Sequence, residues 1–178
     1  MTTGQIITVA AIAVLILLSG FFSGSETAVT AASRARLHHL EKQGNRRAIM
    51  IGRLMRQRER FIGSILLGNN AVNILAAALS TSLLISVAGK VGVIYATVGL
   101  TLIILIFAEV LPKTYAIRNP DRFALAVAPI LLVVVWLLNP VVLAVRGIVY
   151  VTLMPFGAHK VVENTEEEAE EELRGAIS

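Results

Sequence analysis

The sequence predicts an all-α membrane protein with three transmembrane helices and a juxtamembrane helical hairpin on the cytoplasmic side. Hydrophobic residues make up 56% of the 178-residue chain and charged residues only 16%, against about a quarter charged in a soluble domain. Uncharged runs of about 18 residues or more recur, and a helix of that length crosses a bilayer. These runs are continuous rather than alternating, which argues against a transmembrane β-barrel. A water-soluble enzyme, a nucleic-acid-binding protein and a disordered tail are therefore disfavoured.

Three apolar runs predict the transmembrane spans, at about residues 5–33, 61–86 and 91–114. The first run is uncharged as far as Glu26. The residues before it lack the basic character of a cleaved signal peptide, so we expect this run to remain as a span. A short turn at Gly89 separates the second run from the third, and the third ends near Pro112.

Residues 34–60 form a basic segment that decides the predicted orientation. The segment holds nine of the 16 Lys and Arg residues of the chain, and Glu41 and Glu59 are its two acids. An excess of Lys and Arg places a short loop in the cytoplasm. With three spans, the N-terminus is then outside and the C-terminus is cytoplasmic, in a multi-pass protein of the plasma or inner membrane.

The stretch after the third span is apolar enough for a fourth crossing, but Asn139-Pro140 divides it into two short pieces. Proline removes a helix hydrogen bond and tends to kink or end a helix. We therefore predict a re-entrant or interfacial hairpin over about 120–155, which completes a transmembrane domain of residues 1–155. The alternative is a single kinked fourth span, which places the tail outside. The Glu-rich residues 156–178 are predicted to be an acidic linker towards a cytosolic module.

Polar residues recur at membrane depth on one stripe of the first span. Their spacings of four, three and four residues place them within an arc of about 60° on a helix; they are Ser19, Ser23, Glu26 and Thr30. Gly20 and Gly24 lie beside the stripe, where they permit the close approach of another backbone or a local break. Polar groups at this depth usually face a cavity or a partner helix. In the plainer alternative, the serines bond to their own helix and Glu26 lies at the cytoplasmic edge.

The second span carries three asparagines within five residues, preceded by a serine and a glycine: Ser64, Gly68, Asn69, Asn70 and Asn73. An ideal helix places Ser64 about 180° from Asn73, so convergence on one point requires the helix to unwind near Gly68. Unwinding also frees backbone carbonyls as oxygen ligands, as broken helices do in transporters. The alternative is that the asparagines hydrogen-bond between helices, a gain that averages below about 1 kcal/mol each in membranes.

Glu109 is the most suggestive carboxylate, because it follows 18 uncharged residues and precedes Pro112. Proline at this position deprives the carbonyl of Ala108 of its helical partner, and a free carbonyl beside a carboxylate suits a hard cation. The alternative is an ion pair with Lys113 near the interface. The polar groups at depth offer oxygen ligands and include no His or Cys, which favours Mg, Ca or Mn over Zn or Cu.

Three segments in this order resemble the transmembrane domain of the CorC/cyclin-M magnesium transporter family: FSGSETA at 22–28, GNNAVNI at 68–74 and AEVLPKTYA at 108–116. The likeness covers roughly residues 6–155. It implies three spans, a cytoplasmic juxtamembrane hairpin and a homodimer in the lipid bilayer, followed by cytosolic CBS modules that bind nucleotide. It also implies export of Mg2+, with exchange for Na+ as the driving force.

The resemblance further implies a Mg2+ site. Carried over residue by residue, its ligands are Ser23, Ser64, Gly68, Asn69, Asn73 and Glu109, with Ser25, Glu26 and Asn70 in second rank. Two other functions stay open: a passive Mg2+ channel, and a non-transporting dimeric anchor for a cytosolic sensor module. We expect no enzyme, since the deep serines lack an evident base. We also expect no nucleic-acid partner, because the charges are segregated along the chain.

Overall fold

The computed structural model describes residues 2–153, apart from the side chains of Lys90, Val91, Ala96 and Leu153. Throughout this range the regular structure is helical, and it contains no strand. The predicted all-α class is therefore confirmed. The predicted acidic linker and the last two residues of the predicted hairpin lie outside the described residues.

Six helices follow one another along this range. Their bounds are Thr3–Ala31 for α1, Arg34–Lys42 for α2, Arg46–Arg56 for α3, Arg58–Gly89 for α4, Gly92–Arg118 for α5 and Pro120–Leu153 for α6. Helical geometry continues from α4 into α5 except at Gly89, whose φ of 62° and ψ of −170° make the expected turn. The helices α1, α4, α5 and α6 are each long and apolar enough to cross a membrane.

The basic segment folds as two short helices because small polar residues and a glycine mark their ends. The Ser33 hydroxyl accepts a hydrogen bond from the backbone N–H of Arg36 and begins α2. Asn45 Oδ1 accepts two backbone N–H groups of the first turn of α3, as N-capping residues do. Gly44, at a φ of 80°, turns the chain between the two helices.

The hairpin predicted to turn at Asn139-Pro140 is not seen. The helix α6 runs through both residues, and in the range 2–153 positive φ angles occur only at Gly44 and Gly89. Pro140 removes one backbone donor, but a transmembrane helix tolerates proline where its neighbours satisfy the freed carbonyl. The described chain therefore has four candidate spans, and three spans plus a hairpin are not confirmed.

The described residues divide into two units, residues 2–139 and residues 140–153, of which the second is the C-terminal part of α6. In the first unit, α1 packs against both α4 and α5. It is antiparallel to α4, since Ile12 lines a groove with Ser80 while Val29 lines a small cavity with Phe61.

The buried apolar core is concentrated at one end of the first unit. We call this end the basic end; it comprises the end of α1, the start of α4 and the end of α5, next to residues 34–60. Its cluster includes Ala28, Val29, Ala32, Leu37, Ile51, Leu54, Phe61, Ile65, Ala116, Ala124, Val127, Ala128, Leu131 and Val135. Asp121 fastens the start of α6 here, because its Oδ1 accepts the Ser33 N–H at 2.9 Å and its Oδ2 accepts Arg36 Nη1 at 3.4 Å.

Candidate functional site

Three serines of α1 are buried: Ser19 is 1% exposed, Ser23 2% and Ser25 0%. Ser19 donates to Asn69 Oδ1 at 2.8 Å and so links α1 to α4. The hydroxyls of Ser23 and Ser25 make no hydrogen bond within the described chain. A helical hydroxyl usually bonds to its own helix, as Thr27 does to the carbonyl of Ser23 at 3.0 Å. The alternative in which the serines bond to their own helix therefore fails for Ser23 and Ser25.

The predicted α4 residues differ in their surroundings. Ser64 is completely buried, and its hydroxyl also lacks a hydrogen bond in the described part of the chain. Asn69 is half-buried and bonded to Ser19. Asn73 is half-buried, and Asn70 is exposed.

The predicted unwinding near Gly68 is wrong, as is a break at Gly24, because α4 and α1 are regular helices at these positions. The glycines serve close packing instead. A Cβ on Gly68 would lie 2.8 Å from Phe22 Cζ, closer than real Cβ contacts. A Cβ on Gly20 would lie 3.1 Å from Pro112 Cγ, and one on Gly24 3.3 Å from Pro112 Cβ. The absence of side chains at these glycines thus lets α1 approach both α4 and α5.

Glu109 lies in a π-helical stretch of α5, Ile104–Val110. At its end the Leu111 N–H bonds to the carbonyl of Ile106, five residues back. Pro112 has no N–H to continue the ordinary helical pattern, and π-helical turns frequently mark functional sites. Glu109 is half-buried and forms no ion pair with Lys113. Sequence reasoning noticed Pro112 but missed the π-helical stretch.

The register of the helices places the polar groups at one level. Ser19 meets Asn69, and α1 and α4 are antiparallel, so Ser23, one turn later, lies level with the turn of α4 that carries Ser64. On α5, Glu109 lies between Ala108, which is close to Gly20 of α1, and Pro112, which is close to both Gly20 and Gly24. Ser64, Ser23 and Glu109 lie six, eight and nine residues from the helix ends at Arg58, Ala31 and Arg118, which is about 9–14 Å along the helices and reaches into a hydrocarbon core about 30 Å thick.

Glu26 and Asn73, two further predicted residues, are half-buried. Neither side chain makes a hydrogen bond within residues 2–153. Thr30, part of the predicted stripe, is exposed. Among the described residues no three His, Asp or Glu side chains cluster.

The comparisons with known proteins agree on one family. Residues 10–178 match the family model described as the cyclin M transmembrane N-terminal domain. The chain is 47% identical over 131 residues to the UPF0053 inner membrane protein YfjD of Escherichia coli (strain K12). The aligned residues cover 70% of this chain and 31% of that protein. A UPF0053 protein of Haemophilus influenzae is 32% identical over 93% of this chain and 39% of its own length. A chloroplastic DUF21 domain-containing protein of Arabidopsis thaliana is 35% identical over 64% of this chain and 17% of its own length. The chain thus spans roughly a third of the length of the two bacterial relatives.

Proposed function

Because this chain belongs to the cyclin M transmembrane domain family, we propose that it transports Mg2+ at the level of Ser23, Ser64 and Glu109. The observation that carries the proposal is the set of buried serine hydroxyls without hydrogen bonds, on two helices at the level of a half-buried carboxylate. An unsatisfied buried hydroxyl costs about 1–3 kcal/mol. A helix avoids that cost by bonding the hydroxyl to its own carbonyl, so hydroxyls left free support a ligand role.

The ligand chemistry suits a hard divalent cation. Mg2+ requires oxygens in near-ideal octahedral geometry and loses water reluctantly. Glu109 supplies negative charge, and Ser23, Ser64 and Asn73 supply neutral dipoles. The second lone pair of Asn69 Oδ1 remains available, because Ser19 occupies only one. Gly68 contributes by its small size, and Ser25, Glu26 and Asn70 stay second-rank candidates.

Export driven by Na+ entry is the form of transport that the resemblance implies, and we adopt it in the proposal. In an exchanger, Na+ must use overlapping or adjacent oxygens and favour one of two conformations. The homodimer and the cytosolic CBS modules also belong to the proposal. The greater length of the relatives supports further domains.

The proposal places the basic segment in the cytoplasm, the N-terminus outside and the first half of α6 along the basic end. Phe123 contacts Gly24, and Leu138 contacts Gly68. Gly24 lies seven residues from the end of α1 and Gly68 ten residues from the start of α4, so their depths differ by about 5 Å. A crossing α6 would change depth by about 22 Å between Phe123 and Leu138. The native chain has no cysteine, so Thr152→Cys can be labelled selectively. Labelling from the cytoplasmic side supports this course, and labelling only from outside contradicts it.

Mg2+ flux in proteoliposomes, with and without an opposing Na+ gradient, tests the function. We expect Glu109→Gln and Ser64→Ala to lose most of the flux while remaining folded. Ser80→Ala is the matched control, because Ser80 is also a buried serine with an unbonded hydroxyl but lies near the opposite end of the bundle. Wild-type flux from Glu109→Gln would refute the proposed site. Flux that is insensitive to Na+ would favour a passive channel.

The Ser19–Asn69 bond is the observation that favours the second candidate, a non-transporting anchor. It shows one of the three asparagines used for helix packing, as expected of a purely structural bundle. An anchor requires neither Glu109 nor the free hydroxyls. Absence of Mg2+ flux from the folded wild-type chain would therefore favour this function.

A further inference from the structure

A cavity of about 440 Å3 opens between the end of α3, the start of α4 and the middle of α6. It lies wholly within the first compact unit. Three arginines line one side, Arg53, Arg56 and Arg60, and Leu132 and Trp136 of α6 line the other. Arg60 directly precedes the apolar run of α4. The cavity is therefore placed where the hydrocarbon core of a membrane begins, with one charged wall and one apolar wall.

The charge of the arginine wall is only partly neutralised. Arg56 donates from both Nη atoms to Glu41 at 3.4 Å. Arg53 and Arg60 have neither a hydrogen-bond nor an ion-pair partner for their side chains in the described structure. Guanidinium groups pair with phosphate oxygens through two parallel hydrogen bonds. The wall thus presents two free guanidinium groups to a phosphate-bearing ligand.

Asn139 supplies a hydrogen-bond acceptor to the same cavity. Its Oδ1 atom is buried and accepts no hydrogen bond from residues 2–153, and the residue lines the cavity. A buried acceptor without a donor is unfavourable, so a hydroxyl on a ligand would satisfy it. Trp136, 77% exposed on the apolar wall, is a residue type enriched where a membrane meets water.

We propose that this cavity binds an anionic phospholipid whose headgroup carries hydroxyl groups, of the phosphatidylglycerol type. The phosphodiester contacts Arg53 and Arg60, a headgroup hydroxyl donates to Asn139 Oδ1, and an acyl chain lies along Leu132 and Trp136. Free phosphate satisfies only the arginines. A zwitterionic phospholipid would place its own cationic group next to the three arginines, which is unfavourable because like charges repel. This site is independent of the proposed transport, so either idea can fail without the other.

Native mass spectrometry of the purified chain in detergent tests the proposal, with phosphatidylglycerol, phosphatidic acid, phosphatidylcholine and inorganic phosphate as the probes. We expect one tightly bound phosphatidylglycerol that phosphatidylcholine and inorganic phosphate do not displace at equal concentration. The double variant Arg53→Gln/Arg60→Gln should bind it about tenfold more weakly or worse. Asn139→Leu should reduce the preference for phosphatidylglycerol over phosphatidic acid, which lacks the glycerol headgroup and its alcohol hydroxyls, while phosphatidic acid still binds.

The matched control is Arg46→Gln/Arg47→Gln. It removes the same charge from exposed positions at the start of α3, outside the cavity, and should retain phosphatidylglycerol binding. Equal losses in the two double variants would show only diffuse attraction to the basic segment and would overturn the site. Displacement by inorganic phosphate at equal concentration would overturn the lipid as its occupant. Failure of the folded wild-type chain to bind phosphatidylglycerol would overturn both the site and the lipid as its occupant.

Discussion

Ser64→Ala should stabilise the chain in the absence of Mg2+ and weaken its hold on the ion. The Ser64 side chain is 0% exposed and its hydroxyl is unbonded. In soluble proteins a buried hydroxyl without a hydrogen bond costs about 1–3 kcal/mol of stability. The cost is smaller in membranes, because the hydroxyl also finds partners in the unfolded state. Alanine keeps the Cβ and deletes one oxygen, so the cavity left behind is small. We therefore expect the free energy of unfolding to rise by about 0.5–1.5 kcal/mol.

Two other serines of the same bundle provide the comparison. Ser19→Ala breaks the 2.8 Å bond to Asn69 and leaves that amide without its donor. The free energy of unfolding should therefore fall by about 0.5–1.5 kcal/mol. Ser80→Ala removes a hydroxyl that is also buried and unbonded. It should stabilise the chain as Ser64→Ala does, but it should leave Mg2+ binding unchanged.

Reversible unfolding in mixed micelles, first with a chelator and then with Mg2+, is the assay. An ion that binds only the native state adds about 2.7 kcal/mol at a concentration one hundred times its Kd. The wild type and Ser80→Ala should show the full increment, and Ser64→Ala should show less. The reasoning is refuted if Ser64→Ala lowers the free energy of unfolding in chelator. It is equally refuted if this variant keeps the whole Mg2+ increment.

Two further predictions concern the contacts that hold the helices together. Gly20→Val should lower the free energy of unfolding by about 1–3 kcal/mol, because its side chain meets α5 backbone and Pro112. Gly147→Val should not, because a Cβ at Gly147 meets no atom of the described residues within 4 Å. Thermal unfolding measures both. Asp121→Ala should cost about 0.5–1.5 kcal/mol by removing the acceptor for the N–H of Ser33. Asp121→Asn retains an acceptor oxygen and should cost less; equal losses in denaturant titrations would contradict this account.

The long helices α1, α4 and α5 were predictable because an uncharged run of that length has few alternatives to a helix in a membrane. The turn at Gly89 was predictable because it separates two uncharged runs that are each long enough for a span. The course of α6 was not predictable from Asn139-Pro140. Whether proline ends a membrane helix depends on which neighbours satisfy the freed carbonyl, and sequence does not name those neighbours.

The polar groups of the candidate site could be named from sequence, but their hydrogen-bond partners in the structure could not. Ser19 and Ser23 are one turn apart on the same stripe, yet only Ser19 finds an acceptor, because Asn69 packs opposite it. Unwinding at Gly68 was inferred from the geometry of one helix alone. In the structure α4 stays a regular helix at Gly68, and the glycine admits Phe22 of α1 instead.

The placement of α1 against both α4 and α5 has a consequence for biosynthesis, because α1 precedes its two partners in the chain. Until both have been inserted, at least one of the faces that α1 packs in the finished structure lacks its partner helix. A serine hydroxyl on such a face can bond to a carbonyl of its own helix, and docking of the later helices must then release any such bond at Ser23 and Ser25. Nascent chains that end before Gly92 contain every serine of the candidate site but not Glu109.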